Sequence, residues 1–193
     1  MPDQTVAGRW QSRHNTRPGS ATWRYLTEVR GIPEPVLKHA ITADVLREGP
    51  QGSMWAGHRD DAGLITGWEE RGPDWRGFAS GGAKILFRLG PSDAMRLCVS
   101  EAAIDAMSLA SIERLRPGTL YLSTGGGWSP STYAALRALA ARPDALLVAA
   151  TDANSQGERY AERLRALADE VGCNWQRLRP PAEDWNACLI RRG

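Results

Sequence analysis

The sequence predicts an α/β fold: a parallel sheet of about four strands flanked by helices, preceded by a small α+β N-terminal domain. Three observations predict it. From residue 95 onward, short apolar runs alternate with longer amphipathic ones, the pattern of right-handed βαβ units. Between residues 49 and 90, glycines recur between short apolar or aromatic runs, a texture of strands and tight turns. The chain has 193 residues, of which 42% are hydrophobic, enough to bury a sizeable core.

Residues 1–20 are polar, carry Arg9, Arg13, His14 and Arg17, and end in Pro18-Gly19-Ser20, so they read as a basic arm. Residues 21–92 read as the small α+β domain. Ala21 to Leu26 predicts a helix that turns at Arg30-Gly31-Ile32-Pro33. Val36, Leu37, Ile41 and Val45 then have the spacing of a second short helix. Asp60-Asp61-Ala62-Gly63 before Leu64-Ile65-Thr66 predicts a hairpin turn, and Lys84 to Leu89 a further strand.

Residues 93–193 form the α/β domain. Strands are expected at 95–100, 119–123, 145–151 and 174–178, with helices at 102–115, 130–141 and 156–171 between them. Ser129 is placed to cap the second helix and Pro130 to occupy its first position. The run 145–151 is continuously apolar, as in a strand buried on both faces.

Bulk charge excludes little. Net charge is +2, and of 24 basic residues only Lys38 and Lys84 are lysines, so 22 are arginines. Arginine suits phosphate and base contacts through its planar fork, and genome composition produces the same bias. Cys98, Cys173 and Cys188 show no CxxC pairing, which argues against a disulfide framework or a local zinc knuckle. No apolar run approaches the roughly 18 residues of a membrane span, and the N-terminal residues lack a secretory apolar segment. A cytoplasmic protein is the expectation.

Chemistry in parallel sheets gathers at the carboxyl ends of the strands. Three such ends carry candidates: Ser100-Glu101, the run Thr124-Gly125-Gly126-Gly127, and Thr151-Asp152-Ala153-Asn154. Neighbouring strands lie about 4.8 Å apart, so Glu101 and Asp152 can face one cation. Two carboxylates, one amide oxygen and water would suit Mg²⁺ or Mn²⁺.

Here the sequence resembles the Toprim family, shared by bacterial primases, topoisomerases and certain nucleases and recombination proteins. The resemblance rests on Val99-Ser100-Glu101-Ala102-Ala103-Ile104-Asp105-Ala106, on Ser123-Thr124-Gly125-Gly126, and on Thr151-Asp152-Ala153-Asn154-Ser155-Gln156-Gly157. Glu183-Asp184-Trp185-Asn186 resembles the tail that follows Toprim domains in plasmid and phage proteins. Upstream, Tyr25-Leu26, Arg30-Gly31-Ile32 and Ser80-Gly81-Gly82-Ala83-Lys84 resemble a small domain that precedes Toprim in proteins of mobile elements.

The resemblance implies roles. Glu101 would be the general acid/base or metal-assisting carboxylate, and Asp152 a metal ligand. Gly125 and Gly126 would form the turn beside the site. Asn154 stands where a second aspartate is expected, so its amide oxygen is the third candidate ligand and the site loses a charge. Asp184 is a further candidate ligand, while Asp105, one turn after Glu101, faces either site or solvent. Arg71, Arg76, Lys84 and Arg88 occupy the place of the basic subdomain of primases and are the candidate nucleic-acid contacts. Two readings follow. One is a Mg²⁺-dependent, primase-like or nuclease-like protein acting on DNA, single-stranded DNA foremost, in plasmid or phage replication or transfer, alongside replication or conjugative-transfer partners. The other is a non-catalytic DNA- or partner-binding module with a degenerate metal site.

Overall fold

The computed structural model describes residues 5–192. Its centre is one nine-stranded mixed sheet. Four parallel strands stand in the order β7 (Thr119–Ser123), β6 (Arg96–Ser100), β8 (Leu146–Ala149) and β9 (Asn174–Arg177). The sheet continues without a break through β5 (Leu86–Leu89), which pairs antiparallel with β7. Antiparallel β2 (Met54–Arg59), β3 (Ile65–Arg71) and β4 (Arg76–Phe78) follow, and β1 (Leu46–Glu48) shares an edge of β2 with β5. The α/β fold and its small upstream domain are therefore as the sequence reads, and the two are joined by a common sheet.

Side-chain alternation along the parallel strands builds two cores. Cys98, Tyr121 and Val148 point to one face, under α3 (Glu34–Thr42), α4 (Ala103–Ile112) and α7 (Trp185–Ile190). Leu97, Val99, Leu120, Leu122, Leu147 and Ala149 point to the other, under α5 (Pro130–Ala140) and α6 (Ser155–Val171). Ser129 caps α5 by accepting the Thr132 N–H at 3.1 Å, with Pro130 first in the helix, as expected.

The segment read as a basic arm is folded onto the sheet, apart from residues 1–4, which lie outside the described residues. Helix α1 (Val6–Gln11) buries Trp10 against Trp68, which stacks on Trp55 at 3.9 Å between ring centroids. Arg47 holds the segment by donating to the Trp10 and Arg13 carbonyls. One tryptophan outweighs the surrounding polar composition because it removes so much apolar surface from water.

Upstream, α2 (Ala21–Arg24) runs on through Val29 as a wider π-type turn, in which the Arg30 N–H donates to the Tyr25 carbonyl. Such insertions are frequent at functional sites, and this one delivers Arg30 to the cavity described below. No helix among the described residues is long and apolar enough to cross a membrane.

Candidate metal and nucleic-acid site

At the carboxyl edge of the parallel strands lies a cavity of about 490 Å³. Glu101, Asp105, Gly125, Gly126, Asp152 and Asp184 line it, together with Arg71, Arg76 and Lys84 from the upstream domain. The fold thus brings together all but two of the expected site residues.

Glu101 follows the last residue of β6 and is 8% exposed. Its Oε2 accepts from Gln156 Nε2 at 3.0 Å, while Oε1 is buried with no hydrogen-bond partner. Gly125 and Gly126, with φ of 62° and 67°, turn the chain back beside it. These left-handed values favour glycine, and the Gly126 N–H donates to the Glu101 carbonyl at 2.8 Å.

Asp152 sits in the loop after β8, with Oδ1 also buried and unpartnered. Arg177 pins this loop, donating to the carbonyls of Ala149, Thr151 and Asp152 at 2.9, 3.0 and 3.1 Å. Gly157 is required where α6 begins, because a Cβ there would overlap the Asp152 carbonyl. Asp184 caps α7, its Oδ1 accepting the Ala187 N–H at 2.6 Å, and Trp185 anchors that helix through the Ala150 carbonyl. Asp105 settles on the site rather than solvent: it is 7% exposed and accepts the Asn186 N–H at 3.1 Å.

Burial raises the proton affinity of Asp152, Asp105 and Glu101. Asp152 is pushed up to about 7, by burial first and then by the charges of Glu101, Asp184 and Glu183. Asp105 lies well above the usual carboxylate range through burial, then Asp184 and Asp152. Burial also lifts Glu101, against the opposing effects of Gln156 and Arg177. Buried negative charge with unpartnered oxygens is what a cation would relieve. Among the described residues no three His, Cys, Asp or Glu side chains converge closely enough to hold a metal by themselves. An ion seated between Glu101 and Asp152 would take its other ligands from water or phosphate, a habit of Mg²⁺.

Two expected residues do not reach the cavity. Asn154 caps α6: its Oδ1 accepts the Gly157 N–H at 2.8 Å, and its side chain is exposed. A short polar side chain just before a helix meets free N–H donors at once, and that local demand is satisfied here. Arg88 is bound by Asp61 of the β2–β3 turn at 2.6 Å, away from the cavity. Lys84 instead has its backbone fixed, its carbonyl accepting from Thr132 Oγ1 at 2.6 Å, with Nζ over the Phe78 ring.

The sequence reading missed the layer beneath. Glu69 and His58, buried on β3 and β2, pair at 2.9 Å, and Ser123 donates to the same Glu69 oxygen at 2.6 Å. A register shift between His58 and Arg59 marks a β-bulge there, a common device for re-aiming side chains near functional sites. The one signal available was a glutamate in a half-apolar strand, Thr66-Gly67-Trp68-Glu69.

Comparison with known proteins agrees with the fold. Residues 98–189 match the Toprim-like family model, and residues 24–94 match the model described as a protein of unknown function, DUF3991. No curated protein matches the chain. Solved structures of primases share its fold. The primase fragment of the bacteriophage T7 primase-helicase protein is 18% identical, with a TM-score of 0.63, over all of this chain and 77% of that one. The DnaG primase catalytic domain bound to ssDNA is 15% identical, with a TM-score of 0.61, over 97% and 76%. A DNA primase domain from Pseudomonas aeruginosa is 18% identical, with a TM-score of 0.59, over 97% and 74%. This chain carries a Toprim-like domain behind a DUF3991 domain, on the fold of a primase catalytic core.

Proposed function

We propose that this protein is a Mg²⁺- or Mn²⁺-dependent, primase-like enzyme that joins nucleotides on a single-stranded DNA template. One observation carries the reading: two unpartnered carboxylate oxygens, Glu101 Oε1 and Asp152 Oδ1, share a cavity with the basic side chains Arg71, Arg76 and Lys84. That combination suits a metal together with phosphates. When bound, a divalent ion would neutralise charge developing on the transferred phosphoryl oxygens. Glu101 and Asp152 would hold it, with the Asp184 carboxylate lining the same cavity.

The chain's own groups do the rest. Arg71, Arg76 and Lys84 draw in and orient phosphates near the carboxylates. Gln156 fixes Oε2 of Glu101, so Oε1 is the oxygen left to meet the ion. The structures of the DnaG domain with ssDNA and of T7 primase domains with an RNA/DNA hybrid and dTTP support this choice of substrate. The resemblance of the tail and upstream segment to mobile-element proteins favours a role in plasmid or phage replication or transfer, with partners from that machinery.

Incubation with labelled single-stranded DNA, Mn²⁺ and nucleotides tests it. Strand extension by the native protein, lost in Glu101→Gln, is the expected result; shortening of the strand would assign a nuclease instead. The cap made by Asn154 favours one other reading, a binding module with too little negative charge for catalysis. Tight DNA binding with neither extension nor shortening would select it.

A further inference from the structure

A second surface adjoins the cavity and is assigned no role above. Gln156, Arg159, Tyr160 and Arg163 lie at i, i+3, i+4 and i+7 on α6, hence on one face of the helix, and line a shallow cavity of about 250 Å³. Trp128, from the loop after the glycine turn, stands beside this face, 6.1 Å from the Tyr160 ring. Arg163 lies over both rings, at 5.7 Å from Trp128 and 5.6 Å from Tyr160. The Tyr160 hydroxyl donates to the Gly126 carbonyl, fixing that ring to the glycine turn.

The charges here are uncompensated. Neighbouring arginines are spent, Arg137 on Glu170 and both Arg177 and Arg179 on Glu158. Among the described residues Arg159 and Arg163 hold no carboxylate, and both are exposed. Gln156 belongs to both cavities and binds Glu101. From Gln156 to Arg163 the helix rises about 10 Å.

We infer that this face of α6 is a second nucleic-acid subsite, which takes a single strand leaving the metal cavity. Arg159 and Arg163 meet successive phosphates, and a base stacks on the Trp128 or the Tyr160 ring. Free arginines beside aromatic rings are the pairing that single-strand binding uses. The inference rests on the nucleic-acid reading above and adds a path to it.

The test compares the full-length protein with Arg159→Ala/Arg163→Ala and with Arg71→Ala/Arg76→Ala, measuring affinity for a labelled oligothymidylate against salt. Loss of two phosphate contacts in the α6 variant should weaken binding several-fold and flatten the log–log salt slope by about 1.4. Irradiation of a 5-iodouracil oligonucleotide should place an adduct on Trp128 or Tyr160 by mass spectrometry, a readout independent of any variant's folding. Unchanged affinity and slope in the α6 variant, with binding lost in the Arg71/Arg76 variant and adducts only elsewhere, would overturn the α6 path alone. Absence of oligonucleotide binding by the native protein would overturn both readings.

Discussion

Glu69, on β3 of the upstream domain, accepts the Ala103 N–H at 2.9 Å and so caps the helix that follows Glu101. The residue at the cap position itself, Ala102, offers no side-chain oxygen. The other Glu69 oxygen takes hydrogen bonds from His58 and Ser123. Burial pushes its carboxyl up, but these hydrogen bonds outweigh it and hold Glu69 below the usual carboxylate range. Through one carboxylate the upstream strands fix two of the three strand ends that form the site.

Glu69→Ala would leave several buried donors without an acceptor. Each such group costs about 1–3 kcal/mol, so the urea midpoint should fall by an amount worth roughly 3 kcal/mol or more. Glu69→Gln keeps an acceptor and should lose less. Denaturation curves of the two variants check this; equal, small losses would contradict the capping role.

How much of this was legible varies with the range of the interaction. The parallel strands, the helix started by Ser129 and Pro130, and the Glu101 and Asp152 strand ends follow from local pattern, and the sequence carries all of them. Glu69 acts on Ala103 across 34 residues of chain, with His58 paired to it, and local pattern marks the pair only by a glutamate in a half-apolar strand. Asn154 turns to the α6 N–H groups, and spacing gives position in the chain but not which demand an amide satisfies. Arg88 pairs with Asp61, and a strand pattern does not show that Asp61 lies across from it.

Stability should depend on pH through Asp152. Its proton leaves near 3.8 in the unfolded chain and near 7 in the folded one. Between those values the folded protein binds more protons, so this group's contribution to stability falls as pH rises. Asp105 and Glu101 shift in the same direction. Glu69 acts oppositely, and its contribution is lost only as the pH falls into and below the carboxylate range. Melting temperatures without divalent ion should therefore drop between about pH 5 and pH 8, and less so in Asp152→Asn. Mn²⁺ should restore the loss near pH 8 and do little near pH 5. Identical pH profiles for the native protein and Asp152→Asn would contradict the assignment.

Gly157→Ala introduces a methyl group where the Asp152 carbonyl already sits. The loop must then shift away from Arg177, and the variant should be destabilised by about 1–3 kcal/mol. It should bind Mn²⁺ more weakly even at temperatures where it is fully folded. Calorimetric melting and metal titration together check this, and native-like values in both would show that the loop has slack.

Lys84 and Arg88 should separate in their effects on single-stranded DNA. Lys84→Ala removes a cavity-lining cation and should flatten the log–log salt slope by about 0.7. Arg88, held by Asp61, should leave slope and affinity unchanged when replaced by alanine. Fluorescence anisotropy across a salt series measures both; a larger effect from Arg88 would place the strand on the other side of β5.

The proposed activity requires Glu101 and Asp152 to hold one divalent cation. Titration calorimetry with Mn²⁺ and Mg²⁺, with and without oligonucleotide, tests it most directly, comparing the native chain with Glu101→Gln/Asp152→Asn. The account predicts saturable binding to the native protein, tightened by the oligonucleotide and abolished in the double variant. No heat of binding to the native protein under either condition, or equal binding by the double variant, would contradict it.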